Sequence, residues 1–434
     1  MRIAIIGFGI QGKSSYDYWR NGNQITICDE QEVDSPPKGV ELRIGRDYLK
    51  NLDEFDLIVR TPKLNPRDIA VANTDAILAK VTSNTNEFFR VCPSKNIIGV
   101  TGTKGKGTTS TLISEMLKAT GKRVFLGGNI GTPPLDLLRD GISSNDFVVL
   151  ELANFQLIDL SYSPHIAVCL MIAPEHLDWH EGLEEYISSK KMLFAHQTET
   201  DIAIYYADND KSKEIVSVSP GVKIPFYHAP GAAVIDDKIM IDDQEIVRTK
   251  ELQLLGKHNW QNVCAAITVL WQIYKEPEIL RNVILGYKGL PHRLELVKEV
   301  NGVKFYNDSF ASAPDAAMAA IEAIDKPKVM IIGGFDRNLP LENLAQKIKD
   351  NEPTIQKIVL IGASAERVAE NLDKIGFSNY LIETSKDINE IVINACHIAK
   401  EGDVVVLSPG FPSFDMFKNF EVRGLLYKDA VNAL

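Results

Sequence analysis

Ile97-Ile98-Gly99-Val100-Thr101-Gly102-Thr103-Lys104-Gly105-Lys106-Gly107-Thr108-Thr109 is the stretch that decides the fold. An apolar run enters a glycine-rich loop holding two lysines, and Thr111, Leu112, Met116 and Leu117 then mark a helical pattern. The order is strand, phosphate loop, helix. Glycines let backbone N–H groups close around phosphate oxygens, the helix start adds the positive end of its dipole, and Lys106 supplies a point charge. The strict P-loop pattern is not met: it asks for glycine where Val100 stands and for Ser or Thr where Gly107 stands. The competing reading is a plain glycine turn between a buried strand and a helix, but two lysines in such a turn serve no packing purpose.

The rest of the chain has room for more than one such unit. Its 434 residues are too many for a single core and imply two to three domains. Apolar content of 45% and charged content of 24% are those of an ordinary globular protein. A net charge of −11 without a basic segment argues against nucleic-acid binding, while leaving room for an anionic small substrate. Cys28, Cys92, Cys169, Cys264 and Cys396 are widely spaced, several in apolar runs, and read as buried thiols of a reducing compartment. Met1 leads straight into a strand-like run and no apolar segment reaches the length of a membrane span. The expectation is a cytoplasmic protein.

Upstream of the loop the chain reads as β-α-β repeats. A strand over 2–6 meets Gly7-Phe8-Gly9-Ile10-Gln11-Gly12, and a helix to Trp19 leads to a strand over 24–28 that ends at Asp29. This is a dinucleotide fingerprint with its acidic residue. The loop, with Gly9 and Gln11, can hold the diphosphate of any nucleotide, and Asp29 can meet a ribose or a base. A strand over 57–59 runs into Arg60-Thr61-Pro62-Lys63-Leu64-Asn65-Pro66, either a solvated turn or a binding loop with two cations.

Downstream, strands over 147–150 and 166–172 are apolar enough to be buried and parallel. They end at Glu151 and at Glu175-His176-Leu177-Asp178. Ligands of open α/β sheets collect at the carboxyl ends of strands, so the loop, Glu151 and His176 should share one rim. A lysine loop facing one carboxylate and one imidazole suggests a magnesium–nucleotide site. A helix over 183–193 carries Lys190 and Lys191, and a later one places Asn259 and Asn262 on one face. Leu290-Pro291-His292-Arg293 reads as a hinge into a third α/β region, whose strands end at Asn307-Asp308-Ser309, Gly333-Gly334-Phe335-Asp336-Arg337, Gly362 and Ser408-Pro409-Gly410. In the tail, Ser413 is expected to cap a helix, with Phe414 and Phe417 in the core and Ser413 and Phe420 lining a pocket. The fold class is α/β, with three domains in series: 1–92, Rossmann-like; 93–289, a parallel-sheet ATPase-type domain around the loop; and 290–434, again Rossmann-like.

Taken in order, Thr101–Lys106, Gly128-Asn129-Ile130-Gly131, Glu151-Leu152-Ala153-Asn154-Phe155-Gln156-Leu157, Glu175-His176-Leu177-Asp178, Gly256-Lys257-His258-Asn259 with Asn262, His292-Arg293-Leu294-Glu295, Asn307-Asp308-Ser309 and the tail over 407–424 resemble the Mur ligases, ATP-dependent enzymes that add amino acids to peptidoglycan precursors. Within the family the D-glutamate-adding type is most similar. The resemblance implies that D-glutamate is joined to UDP-N-acetylmuramoyl-L-alanine through an acyl phosphate, with ATP and Mg²⁺, by a monomer that binds neither nucleic acid nor membrane. It implies that Gly9, Gln11, Asp29 and Thr61 serve the UDP moiety and that Asn129 and His176 touch the muramoyl substrate. ATP would be held by Gly102, Thr103, Lys104, Gly105, Lys106, Gly107 and Thr108, with Asn262, Arg293 and Asp308. Metal would fall to Thr108, Glu151, His176 and Lys190, the last as a carbamate; Lys106, His176 and Lys190 would be catalytic. Ser312, Arg337, Ser413 and Phe420 would surround the incoming amino acid. Hinges are expected near Leu290 and near Pro93, so that the last domain can close and expel water.

The departures from the family pattern bear on the substrate. Gly107 stands where Ser or Thr usually helps to hold Mg²⁺–ATP, leaving Thr108 to take over. Lys104 and Met171 each replace an asparagine, and Phe310 replaces a lysine that helps to bind the amino acid's carboxylate. The alternatives left open are another amino acid, such as L-glutamate; a non-catalytic nucleotide-binding module, from Gly107 and Phe310; and, from Gly7–Gly12 and Asp29, a nicotinamide-dependent oxidoreductase.

Overall fold

A computed structural model describes residues 1–176 and 179–434. Leu177 and Asp178, part of the motif quoted above, lie outside the described residues. Two compact units emerge: 1–251 with 260–285, and 252–259 with 286–434.

The first unit begins with β1 (Arg2–Ile6), α1 (Ile10–Trp19), β2 (Gln24–Asp29), β3 (Glu41–Ile44), β4 (Leu57–Arg60), α2 (Pro66–Ala72), β5 (Val81–Ser83) and α3 (Asn84–Val91). These strands form a parallel sheet in the order β3-β2-β1-β4-β5. Gly12 is required where α1 crosses the loop, because a Cβ there would lie 2.0 Å from the Gly7 carbonyl oxygen.

The same unit continues with β6 (Ile97–Thr101), α4 (Lys106–Ala119), β7 (Val124–Gly128), α5 (Pro134–Leu137), β8 (Phe147–Glu151), α6 (Asn154–Leu157), β9 (Ile166–Cys169), α7 (Leu183–Ala195), β10 (Ile202–Tyr206), α8 (Asp210–Val216) and β11 (Val222–Phe226). A hairpin sheet of β12 (Ala233–Ile235), β13 (Lys238–Ile241) and β14 (Gln244–Arg248) follows, then α9 (Lys257–Trp271) and α10 (Pro277–Gly286). The large sheet is parallel, in the order β11-β10-β9-β6-β8-β7. β6 is buried along its whole length, as its unbroken apolar run requires of a central parallel strand. The chain leaves β6 for β7 and β8 on one side and for β9 to β11 on the other, so the carboxyl ends of β9, β6 and β8 are neighbours. The strand expected over 166–172 stops at Cys169.

The hinge expected near Pro93 is instead a fastened seam. Phe88, Phe89 and Cys92 share one apolar cluster with Ile97, Leu135 and Leu157, so core runs unbroken from the first sheet to the second. Across the seam the fully buried Arg60 guanidinium grips both carboxylate oxygens of Asp159, with Nε 2.6 Å from Oδ2. Asn84 ties Ser14 (3.0 Å) to the backbone N–H of Leu135 (3.0 Å). The sequence leaves Arg60 in either a solvated turn or a binding loop. Its burial is a tertiary effect that no local pattern announces.

The second unit holds β15 (Glu295–Val300), β16 (Val303–Asn307), α11 (Pro314–Ala323), β17 (Lys328–Gly333), α12 (Glu342–Asp350), β18 (Ile355–Ile361), α13 (Ala365–Lys374), β19 (Tyr380–Ile382), α14 (Ile388–Ile398), β20 (Val404–Leu407) and α15 (Phe420–Asn432). Its sheet runs β15-β16-β20-β17-β18-β19, with only β15 antiparallel among these pairs. The tail departs from expectation. The last helix begins at Phe420 and is capped by Asn419, whose side chain accepts the Val422 N–H at 2.8 Å. Ser413 caps nothing there, and Phe414 is 61% exposed instead of in the core. Phe417 does pack against a core cluster.

Candidate functional site

The Lys106 loop forms as its composition dictates. Gly105 sits at φ +88° as the N-cap of α4 and makes no side-chain cap, so the N–H groups of the first turn remain open to an anion. A Cβ at Gly105 would lie 2.2 Å from Asn262 Oδ1, which fixes Asn262 of α9 directly against the loop. Lys106 Nζ donates back to the carbonyls of Gly102 (3.0 Å) and Thr103 (2.9 Å). Thr103 has a structural task as well: its hydroxyl bonds the Ala173 carbonyl (2.9 Å), the Ala173 N–H (2.9 Å) and the Tyr186 hydroxyl (2.8 Å). That clamps the segment leading to His176 onto the loop. Lys104 is exposed, Thr108 half-buried and Gly107 buried.

At the end of β8, Glu151 is 3% exposed. Its Oε1 accepts from Asn129 Nδ2 at 2.8 Å, while Oε2 is buried and has no hydrogen-bond partner among the described residues. A buried carboxylate oxygen left unpaired costs free energy unless a cation meets it. This orphan oxygen therefore fits a Mg²⁺ ion. Among the described residues no three His, Cys, Asp or Glu side chains cluster as a metal cage. His176, in the left-handed region at φ +57°, packs its ring 4.8 Å from that of Phe155, the residue after the first in α6.

Lys190 is not the exposed helix lysine that its sequence suggests. It is 1% exposed, with Nζ 3.2 Å from the Gly102 carbonyl and 4.6 Å from the centre of the Tyr186 ring. Burial, and then the charge of Lys106, push its amine down to about 7, so near neutrality much of it carries a free lone pair. Lys106 opens α4 after β6, Glu151 is the last residue of β8, and Lys190 lies on α7, which follows β9.

In the first sheet, Asp29 accepts the Phe8 N–H at 2.9 Å and the Gln31 N–H at 3.1 Å, so the acidic strand end shapes the glycine loop itself. Gly9 is the exposed N-cap of α1, Gln11 is half-buried, and the Thr61 hydroxyl closes against Gly7. In the second unit, Asp308 is 8% exposed, accepting from Ser408 Oγ (2.7 Å) and the Leu294 N–H (3.1 Å), and burial raises it to about 7. The Arg293 guanidinium lies 3.9 Å from the centre of the Phe310 ring, which meets Phe420 edge-on at 5.1 Å. Ser312 and Arg337 are exposed and Ser413 is buried. Sequence reading missed Arg423, whose buried guanidinium bonds Ser309 Oγ (2.9 Å), the Ser309 carbonyl (2.8 Å) and the Phe411 carbonyl (3.0 Å). It thereby joins the loops after β16 and β20. Asn154 and His180 were missed too, and only their mutual contact marks them out.

Comparison with known proteins gives a consistent result. Residues 100–270 match the Mur ligase middle domain, and residues 292–411 match the Mur ligase glutamate ligase domain. The chain is 35% identical over 447 residues to the UDP-N-acetylmuramoylalanine--D-glutamate ligase of Clostridium kluyveri, covering 99% of this chain and 96% of the relative. It is 34% identical over 448 residues to the enzyme of the same name from Clostridium novyi, covering 100% and 96%. Among solved structures it resembles MurF from Acinetobacter baumannii (TM-score 0.65, 17% identity, 99% and 93% covered) and UDP-N-acetylmuramate-alanine ligase MurC from Thermotoga maritima (TM-score 0.59, 16% identity, 100% and 99% covered). At those identities the structural likeness speaks to the fold. Among the described residues no helix is long and apolar enough to cross a membrane.

Proposed function

We infer that this chain, which belongs to the Mur ligase family, is the ATP-dependent ligase that adds D-glutamate to UDP-N-acetylmuramoyl-L-alanine. The observation that carries the reading is the shared rim of a lysine phosphate loop and a buried carboxylate with one oxygen unpaired, in a chain 35% identical along its length to ligases of that name.

A carboxylate is a poor electrophile at neutral pH, so the γ-phosphoryl group of ATP passes first to the carboxylate of the L-alanyl residue. The amine of D-glutamate attacks the resulting acyl phosphate, the C–N bond forms, and phosphate leaves with the C–O electron pair. Lys106 exchanges its two backbone carbonyls for phosphate oxygens, and the open N–H groups of α4 bind the same anion. Asn262 borders this loop, and Arg293 and Asp308 are the further residues this reading gives to ATP. Glu151 and His176, with Thr108 next to Gly107 where the family's hydroxyl is missing, would hold Mg²⁺, which when bound would neutralise charge on the phosphates. The neutral fraction of the Lys190 amine would add to CO2 through its lone pair and lose a proton to solvent, leaving an anionic carbamate whose oxygens could serve as ligands. Gly9, Gln11, Asp29 and Thr61 take the UDP moiety and Asn129 the muramoyl part, while Ser312, Arg337, Ser413 and Phe420 take D-glutamate. In this reading the regions 1–92, 93–289 and 290–434 take the UDP moiety, ATP and the amino acid in that order.

Phosphate release with ATP, Mg²⁺ and UDP-N-acetylmuramoyl-L-alanine tests the reading across a panel of amino acids. D-glutamate should support turnover and L-glutamate should not. The panel also addresses Phe310, since a different preferred amino acid would keep the ligase chemistry and revise its substrate.

A further inference from the structure

The structure assigns His180 as a positioning residue that fixes the Asn154 amide so that its oxygen is presented to an N–H of the acceptor substrate; this rests on the ligase reading above. The His180 side chain is fully buried, packed between the rings of Trp179 (4.6 Å) and Tyr186 (5.5 Å). Its Nδ1 lies 3.0 Å from Glu185 Oε2 and its Nε2 lies 2.7 Å from Asn154 Nδ2. A carboxylate only accepts, so the ring proton belongs on Nδ1 and Nε2 keeps its lone pair for an Asn154 N–H. Burial lowers the His180 pKa, in keeping with a neutral ring. Turning the amide over would set oxygen against that lone pair, so the network dictates its orientation.

Glu185 is fixed in turn. It accepts the Glu181 N–H at 2.9 Å and Arg67 NH1 at 3.1 Å. Arg67 stands on α2, beside the first sheet, so four side chains in series connect that sheet to α6. Asn154 is the first residue of α6, three positions beyond Glu151. Among the described residues its Oδ1 has no hydrogen-bond partner. What remains at that position is a fixed acceptor. The acceptor substrate carries the matching donor in its L-alanyl amide N–H, two bonds from the carboxylate carbon that reacts.

The experiment compares wild-type enzyme with His180→Phe, His180→Gln and Asn154→Asp. It measures KM for the UDP-linked substrate, KM for ATP and kcat, and reads the His180 tautomer by nitrogen-15 NMR of the wild type. The Nδ1–H tautomer is expected. His180→Phe should raise KM for the UDP-linked substrate about tenfold, the worth of one hydrogen bond of about 1.4 kcal/mol, with KM for ATP unchanged. His180→Gln, which can donate and accept at once, should restore most of it, and Asn154→Asp should raise the pKa of His180. An Nε2–H tautomer, or variants in which both KM values move together, would overturn the assignment. A wild type that releases no phosphate would defeat the ligase reading instead, and the tautomer would then judge the His180–Asn154 relation alone.

Discussion

Asn129 and Glu151 are joined at 2.8 Å, amide nitrogen to carboxylate oxygen, and the Asn129 backbone N–H also reaches the Glu151 carbonyl at 2.8 Å. The end of β7 thus holds the end of β8 at two points and leaves a single carboxylate oxygen uncommitted. Glu151→Gln keeps the size and one acceptor but removes the charge. It should raise the Mg²⁺ concentration required for half-maximal activity at least tenfold while leaving the far-ultraviolet circular dichroism unchanged, as a magnesium titration would show.

Lys106→Ala removes the charge that the loop stores against its own carbonyls. Losses of this kind at transition-state-stabilising positions are about 10²–10³ in kcat. Steady-state kinetics should place the defect mainly in kcat, because charge on the transferring phosphoryl group is what the ammonium meets.

With the Lys190 amine held near 7, a carbamate at this position should make activity depend on dissolved CO2. Only the neutral amine combines with CO2, so loading should rise as pH passes upward through about 7. Enzyme prepared in CO2-depleted buffer should be less active and recover with bicarbonate. Lys190→Ala should be partly rescued by short carboxylic acids. The same shift bears on stability: from about 7 up to the unfolded value of 10.5 the unfolded chain binds a proton that the native one does not, so this group's contribution improves with rising pH in that window.

Asp308 has the opposite sign. Its pKa is raised by burial from 3.8 to about 7, so the native state binds the extra proton between those values and this group's contribution to stability falls as pH rises through them. Asp308→Asn retains partners for Ser408 and the Leu294 N–H. Relative to wild type it should gain on the order of 2–4 kcal/mol between pH 4 and pH 8, seen in denaturant unfolding at the two pH values, while ATP turnover declines.

Phe310→Lys sets an ammonium where a ring now lies 3.9 Å under the Arg293 guanidinium. KM for D-glutamate should fall as the pocket gains a cation. KM for ATP should rise severalfold as Arg293 loses a cation–π contact of about 0.5–2 kcal/mol. Separate titrations of the two substrates distinguish the effects.

Arg60→Ala tests the seam between the first two sheets. Arg60→Ala leaves the partly exposed Asp159 carboxylate without its partner and empties buried space, together on the order of 2–4 kcal/mol. A fall in unfolding free energy of that size, with a single transition retained, is expected.

The sequence by itself determined the central apolar strands and the place of the glycine–lysine loop after Ile97–Thr101, while short or edge strands such as β3, β5, β12 and β19 left no such signal. The strong signals are local facts: an unbroken apolar run such as Ile97–Thr101 can only be a buried strand, and parallel strands bring their carboxyl ends together. The tertiary structure alone decided what surrounds each charged side chain. Lys190, Arg60 and Arg423 look like surface residues in the chain and are buried in the fold, and the Asn154–His180–Glu185–Arg67 series joins residues 87 apart in sequence at its ends of contact with α2 and α6. The reason is physical: burial and hydrogen bonding of a long polar side chain depend on elements distant in sequence, and no periodicity within its own helix encodes them.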